Sequence, residues 1–292
     1  MFYTESVEKL VKYALLTGFV KSSEAPLSLM LISPPESAKT SILRSFYCLG
    51  ALEVMDLSPK PLCDVILPKI KNEHIHHIII PDLIKVLAHK IATVNGTVAM
   101  LNAMIEEGVK QGMFYGQSFS FDEPIRVGII TSVTPEFFHK FFRDWNDMGF
   151  ASRFIPVSYK YSDELIAKIH KIIKEHSIYE IEVSDISKGI RGAKNGNKID
   201  ISIEENAAAW AELKAQEIAK KISTYRIPVR VQGGHIKYIQ PNLMGFRLHK
   251  QIRLLVKAIA LSKKKREADM TDIAELNTLL EYIGYPNQPK LL

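Results

Sequence analysis

Lys39 and Thr40 close the segment SPPESAKT (33–40), which directly follows the apolar run LSLMLI (27–32). A short continuous apolar run before a proline reads as a buried strand of a parallel sheet, and the residues from Thr40 to Leu49 read as the next helix. An ammonium and a hydroxyl at such a junction, with backbone N–H groups curled ahead of them, have the chemistry to hold phosphate and magnesium. The candidate cradle is Ser33, Pro34, Pro35, Glu36, Ser37, Ala38, Lys39, Thr40 and Ser41.

The common phosphate-binding form is G-P-P-G-T-G-K-T. Pro34, Pro35, Lys39 and Thr40 match it, while Ser33, Glu36 and Ala38 stand where that form has glycine. Glycine supplies positive φ and close backbone approach, so the Ala38 methyl group is the most consequential departure. The alternative is a plain strand–turn–helix with a surface lysine.

Further groups follow in order. Asp82, after the apolar run HIII (77–80), has a carboxylate able to support magnesium through water, or to cap a helix after Pro81. MFYGQSFSFDEP (113–124) alternates around Gly116 as a hairpin does. Tyr115 and Gln117 flank its Gly116, and Lys110 lies just before the segment; the lysine could pair with DNA phosphate and the aromatic could stack on bases, and an exposed hairpin without a partner is equally open. VGIITSVTPE (127–136) is a strand ending in Thr131 and Ser132, whose hydroxyls either sense a phosphate or cap the strand end. MGFASRFIPV (148–157) carries Arg153, and GFRLHKQIRLL begins a helix with Arg247, Arg253 being the second choice there.

The elements that must position these groups alternate strand and helix up to residue 160, which predicts an α/β core with a parallel sheet over 1–160. From 161 to 292 the pattern predicts a mainly helical second domain: helices near 163–176, 204–223, 243–262 and 271–283, a short β-like stretch around Gly233-Gly234 and a basic loop RGAKNGNK (191–198). The first helix is expected within 5–19, with Val7, Leu10, Val11, Ala14 and Leu15 on one side.

The chain has 292 residues, 47% hydrophobic and 24% charged, with a net charge of +6 and a pI near 9.1. That balance suits a globular protein and is compatible with a nucleic-acid partner without demanding one. No apolar run reaches the roughly 18–20 residues of a membrane span, the N-terminus lacks a signal-peptide pattern, and Cys48 and Cys63 have no metal-ligand spacing. The expectation is a cytoplasmic protein without a membrane partner. HIHH (74–77) suggests a metal only superficially, because strand alternation sends His74 and His76 to one side and His77 to the other. No G-x-S-x-G nucleophile motif occurs.

Taken in order, these motifs resemble the AAA+ ATPases, closest to the helicase-related branch of the MCM and MoxR proteins. The resemblance implies a P-loop AAA+ core followed by a helical lid, binding ATP and Mg²⁺. Lys39 and Thr40 would hold phosphates and metal, and Asp82 would support the metal. Thr131 or Ser132 would sense the γ-phosphate, Arg153 would act as an arginine finger on a neighbouring subunit's nucleotide, and Arg247 would act from the lid. It also implies a homo-oligomer, a ring or open ring, with DNA and replication or recombination proteins as partners. Ala258 and MTDIAEL match small and polar positions of the lid, and KKKR (263–266) offers cations for DNA phosphates or a solvated helix end. Leu83 stands where the family usually carries the water-positioning glutamate, with Glu106 or Glu107 as substitutes. Three functions compete: a DNA-translocating or DNA-remodelling ATPase of helicase type, such as a mobile element carries; an ATP-gated switch, loader or transposition regulator that hydrolyses slowly; and a MoxR-type protein-remodelling chaperone.

Overall fold

The computed structural model describes residues 4–46, 50–114, 117–176, 198–230, 235–241, 245–286 and 290–291. Five strands form a wholly parallel sheet: β1 (Ser28–Ile32), β2 (Ala51–Glu53), β3 (His77–Ile80), β4 (Gly128–Val133) and β5 (Phe154–Lys160), in the order β5-β1-β4-β3-β2. Lys290–Leu291 adds a short parallel ladder beside β5. β1, β3 and β4 are buried along their whole length, which explains their mainly apolar sequences, and their few polar side chains, Ser28, His77, Thr131 and Ser132, are hydrogen-bonded to backbone groups.

Because β4 lies between β1 and β3, the chain leaves all three strands side by side along one edge. In open parallel sheets the crevice outside the carboxyl ends of the strands is where ligands sit. The 33–40 loop, Asp82 and the Thr131–Ser132 pair are therefore brought to one edge by topology alone.

The edges are closed by long-range packing. Helix Glu5–Leu16 buries Val7, Leu10, Val11, Ala14 and Leu15 and packs against Phe246–Ser262, which buries Ile252, Leu255, Val256, Ala258 and Ile259. Each of the Val, Leu and Ile side chains contributes about 1.5–3 kcal/mol when fully buried. Helix Pro135–Asp147 turns Phe138, Phe142 and Trp145 inward at helical spacing, with Phe138 5.3 Å from the Tyr285 ring and Trp145 5.7 Å from Phe150. Gly128 starts β4 where any Cβ would meet the His77 ring and the Leu27 carbonyl oxygen at 2.5–2.6 Å, so the close approach of β3, β4 and the entry to β1 depends on that glycine.

The segment from 161 onward contains helices Asp163–His176, Glu205–Ser223, Phe246–Ser262 and Met270–Leu279, plus an antiparallel ladder of Ile227–Arg230 with Ile236–Ile239. The last helix begins with a capping box in which Asp269 accepts from Thr271 N and Asp272 accepts from Asp269 N. Two cations of KKKR turn inward onto this start: Lys263 pairs with the fully buried Asp272 and with Glu275, and Lys265 with Asp269 and Asp272. Those two lysines serve the fold.

Several boundaries differ from the sequence reading. The strand expected from 74 begins at His77, because His74 adopts φ 51° and turns the chain before the ladder starts. The chain after Asp82 forms two helices, Leu83–Leu87 and Ile91–Ile105. The hairpin starts before residue 113, pairing Val109–Phe114 with Gln117–Ile125 through a register shift between Val109 and Gln111. Residues 191–197 and Gly233-Gly234 lie outside the described residues.

Candidate functional site: a loop at the carboxyl edge and an arginine cluster at the opposite edge

Ser33 leaves β1 with its hydroxyl donating to the Tyr159 carbonyl at 2.8 Å. The chain then turns through Pro34 and Pro35 into two residues of positive φ, Glu36 at 61° and Ala38 at 63°. These are the glycine positions of the common loop. The backbone keeps the left-handed conformation although the side chains there disfavour it, by roughly 1–2 kcal/mol per residue. Ser37 lies buried between them. Its hydroxyl donates to the Pro34 carbonyl at 2.7 Å, and its own carbonyl accepts from the Tyr159 hydroxyl at 2.9 Å. Lys39 and Thr40 then open the helix Lys39–Arg44, and Thr40 and Ser41 are exposed.

Lys39 is folded back over the loop. Its ammonium donates to the carbonyls of Ser33 (2.7 Å) and Pro34 (2.5 Å) and to the Ser37 hydroxyl (3.2 Å). Burial pushes its pKa down to about 8, against the opposing pull of the Asp82 and Glu136 carboxylates. Three oxygens thus occupy the donors that an anion would otherwise take. Glu136 stands in the first turn of helix Pro135–Asp147, directly after β4. The sequence assigned it no role; its place at the end of VGIITSVTPE was the available signal.

Asp82 is the N-cap of Leu83–Leu87, with one carboxylate oxygen accepting from Ile84 N at 3.0 Å. Thr131 and Ser132 are buried and donate to the carbonyls of Ile80 (2.8 Å) and Pro81 (2.6 Å). These hydroxyls tie the end of β4 to the end of β3 and so fix the backbone that presents Asp82. Leu83 is buried, which leaves a hydrophobic anchor where a carboxylate would face the loop.

Arg153 and Arg247 lie elsewhere. Arg153 immediately precedes β5, whose first residue pairs with Ser28 at the start of β1. It therefore sits at the amino edge of the sheet, opposite Lys39. Both arginines grip one carboxylate: Glu106 takes Arg153 on one oxygen and Arg247 on the other. Arg153 also donates to the Gly149 carbonyl, and Arg247 to the Ser152 hydroxyl at 2.8 Å. Gly149, at φ 67°, leaves the space the Arg153 guanidinium fills, since a Cβ there would meet Arg153 Nη1 at 2.7 Å. Burial alone would raise the Glu106 pKa; the hydrogen bond and charge of Arg247, then Arg153, outweigh it and hold the carboxyl below its usual range. Arg153 Nε is buried without a hydrogen-bond partner among the described residues. A cleft of about 270 Å³ opens here, lined by Glu24, Glu106, Arg153, Arg247, Lys250 and Gln251 among others. Glu106 and Glu107 follow the helix that returns from the carboxyl edge, so neither stands beside Lys39 in the same chain.

On the hairpin, Lys110 is exposed and Gln117 begins the second strand, while Tyr115 lies outside the described residues. Asp122 there pairs with Lys71 at 3.2 Å. Among the described residues no cluster of His, Cys, Asp and Glu has metal-binding form: His77 is buried with Nε2 3.2 Å from the Leu27 carbonyl, and His76 packs edge-on against Phe19 at 4.3 Å. No described helix is long and apolar enough to cross a membrane. Against known proteins, the chain matches no family model and no curated sequence.

Proposed function

We propose that this protein is a P-loop nucleoside-triphosphate-binding protein of the AAA+ type, working as an oligomer associated with DNA. The observation that carries this reading is the positive φ at Glu36 and Ala38: a loop with no glycine keeps the backbone of one that has them, beside Lys39, and strain of this kind gathers at functional sites. The residues fit ATP and magnesium in type. Lys39 would exchange its three internal acceptors for phosphate oxygens. Thr40 and Asp82 offer oxygens to the metal, which would neutralise phosphate charge when bound.

The two arginines support an intersubunit site. They cannot serve the loop of their own chain from the opposite edge, so their use on a nucleotide requires a neighbouring copy. Glu106 would then act as the internal stand-in for the phosphate charge that the neighbour brings.

The ATP-gated switch is the second reading, favoured by the buried Leu83 and by the engagement of Asp82 as a helix cap. The test is steady-state ATP turnover with and without single- and double-stranded DNA. Turnover that rises with DNA and is lost in both Lys39→Ala and Arg153→Ala supports the motor. ATP binding without turnover in either DNA supports the switch, and turnover unaffected by Arg153→Ala removes the intersubunit site from the account.

A further inference from the structure

A second cleft, of about 380 Å³, lies beside the arginine cluster and shares Glu24, Lys250 and Leu254 with the first. Its charged walls are Lys21, Glu24, Lys250, Arg253 and Lys257. One wall is a single face of helix Phe246–Ser262: Lys250, Arg253 and Lys257 recur at steps of three and four residues, which places them on one side of the helix. At about 1.5 Å of rise per residue, that row spans roughly 10 Å. The other wall, at 21–24, is fixed rather than loose. Lys21 N donates to the Ile199 carbonyl at 2.8 Å, and Arg126 donates to the Ser23 carbonyl at 2.8 Å.

The charges are poorly balanced. Lys250 pairs with Glu24 at 2.9 Å, and Asp200 pulls on Lys257 from outside the cleft. Arg253 and Lys257 have no ion pair within 4 Å among the described residues, and each repels the other. Burial first, then Arg253, depresses the Lys257 pKa. Adjacent like charges one helical turn apart destabilise a helix, so the fold gains nothing from keeping them together.

We propose that this cleft binds the phosphate backbone of a single nucleic-acid strand, with Arg253 and Lys257 as its principal contacts and Lys21 and Lys250 beside them. Three helix cations spread over roughly 10 Å, with Lys21 on the facing wall, exceed what one compact phosphate can use, whereas a strand repeats its phosphate charge along its length. Such contacts position a strand without reading its sequence. The site is separate from the hairpin and from the loop at Lys39, and it stands or falls apart from the nucleotide reading.

The test is fluorescence anisotropy of a labelled single strand across a salt series, using the full chain, an Arg253→Ala/Lys257→Ala double variant and an exposed-lysine control, Lys168→Ala. Both cleft positions take alanine without loss of helix propensity, and circular dichroism checks the fold. The expected result is a loss of about tenfold or more in affinity in the double variant. The log–log salt slope should become shallower by about 1.4, the value for two phosphate contacts on single strands, with the control unchanged. A double variant that binds with wild-type affinity and slope overturns the proposal. So does a wild-type chain that binds tripolyphosphate but no strand, or a double variant that keeps strand binding but fails to self-associate, which would assign the cleft to a second copy. ATP binding in the double variant, measured in parallel, keeps a failure here distinct from a failure at Lys39.

Discussion

The Tyr159 hydroxyl donates a 2.9 Å hydrogen bond to the Ser37 carbonyl, so the fully buried ring on β5 holds the loop that leaves β1. Burial also pushes the Tyr159 pKa well above its ordinary value, so the hydroxyl stays a donor throughout the working pH range. Tyr159→Phe keeps the ring and removes the bond. The expected cost is about 1–2 kcal/mol in urea unfolding, together with weaker ATP binding, because Ser37 sits between the two strained residues. Lost stability with unchanged ATP affinity would show that Tyr159 only packs.

The strained positions make opposite predictions for two small changes. Ala38→Gly relieves the left-handed cost and adds the chain entropy of glycine, so stability should move by no more than about 1 kcal/mol while ATP affinity rises. Ala38→Val places a β-branched residue at φ 63° and should cost about 2 kcal/mol or more. Equal stability of the two variants in chemical denaturation would contradict the loop conformation described here.

Lys39 gives a pH prediction. Its pKa in the folded chain lies near 8, below the ordinary 10.5, so between those values the unfolded chain holds more protons. Stability attributable to this group therefore rises with pH through that window, and the penalty for its charge is fully present below pH 8. Phosphate binding needs the ammonium, so ATP affinity should fall as pH rises past 8. Lys39→Arg should flatten that fall, because a guanidinium stays charged. Calorimetric titration at pH 7 and pH 9 reads both.

His76 and His77 predict acid lability. Burial lowers their pKa values to about 4 and about 3, so below pH 6.5 the unfolded chain binds protons that the folded chain refuses. The stability present above pH 6.5 is lost as pH falls toward 4, on the order of 1–2 kcal/mol per ring by pH 5. The urea midpoint of wild type should drop between pH 7 and pH 5, and His77→Gln should drop less. Identical pH dependence of the two would remove His77 from the cause.

The sheet was legible because its strands are buried on both faces: LSLMLI, HIII and VGII are predominantly apolar runs. The loop was legible because Pro34, Pro35, Lys39 and Thr40 are local. β2 was not, since three half-buried residues at a sheet edge carry no period. The carboxylate shared by Arg153 and Arg247 was not legible either. Glu106 was read as a substitute for the missing glutamate beside the loop, yet the returning helix carries it to the opposite edge, and only the tertiary fold decides which edge a residue reaches. The inward turn of Lys263 and Lys265 was hidden for the same reason: KKKR reads as a solvated run until Asp269 and Asp272 are placed under it.

The most direct measurement is ATP binding by calorimetry in the presence of magnesium, with wild type beside Lys39→Ala and with circular dichroism to confirm that the variant is folded. Saturable binding by wild type, weakened about tenfold or more in the variant, is the predicted result and corresponds to about 1.4 kcal/mol or more of lost phosphate interaction. Absence of saturable ATP binding by folded wild-type protein up to about 1 mM nucleotide, or equal binding by the two proteins, would contradict the account at its centre.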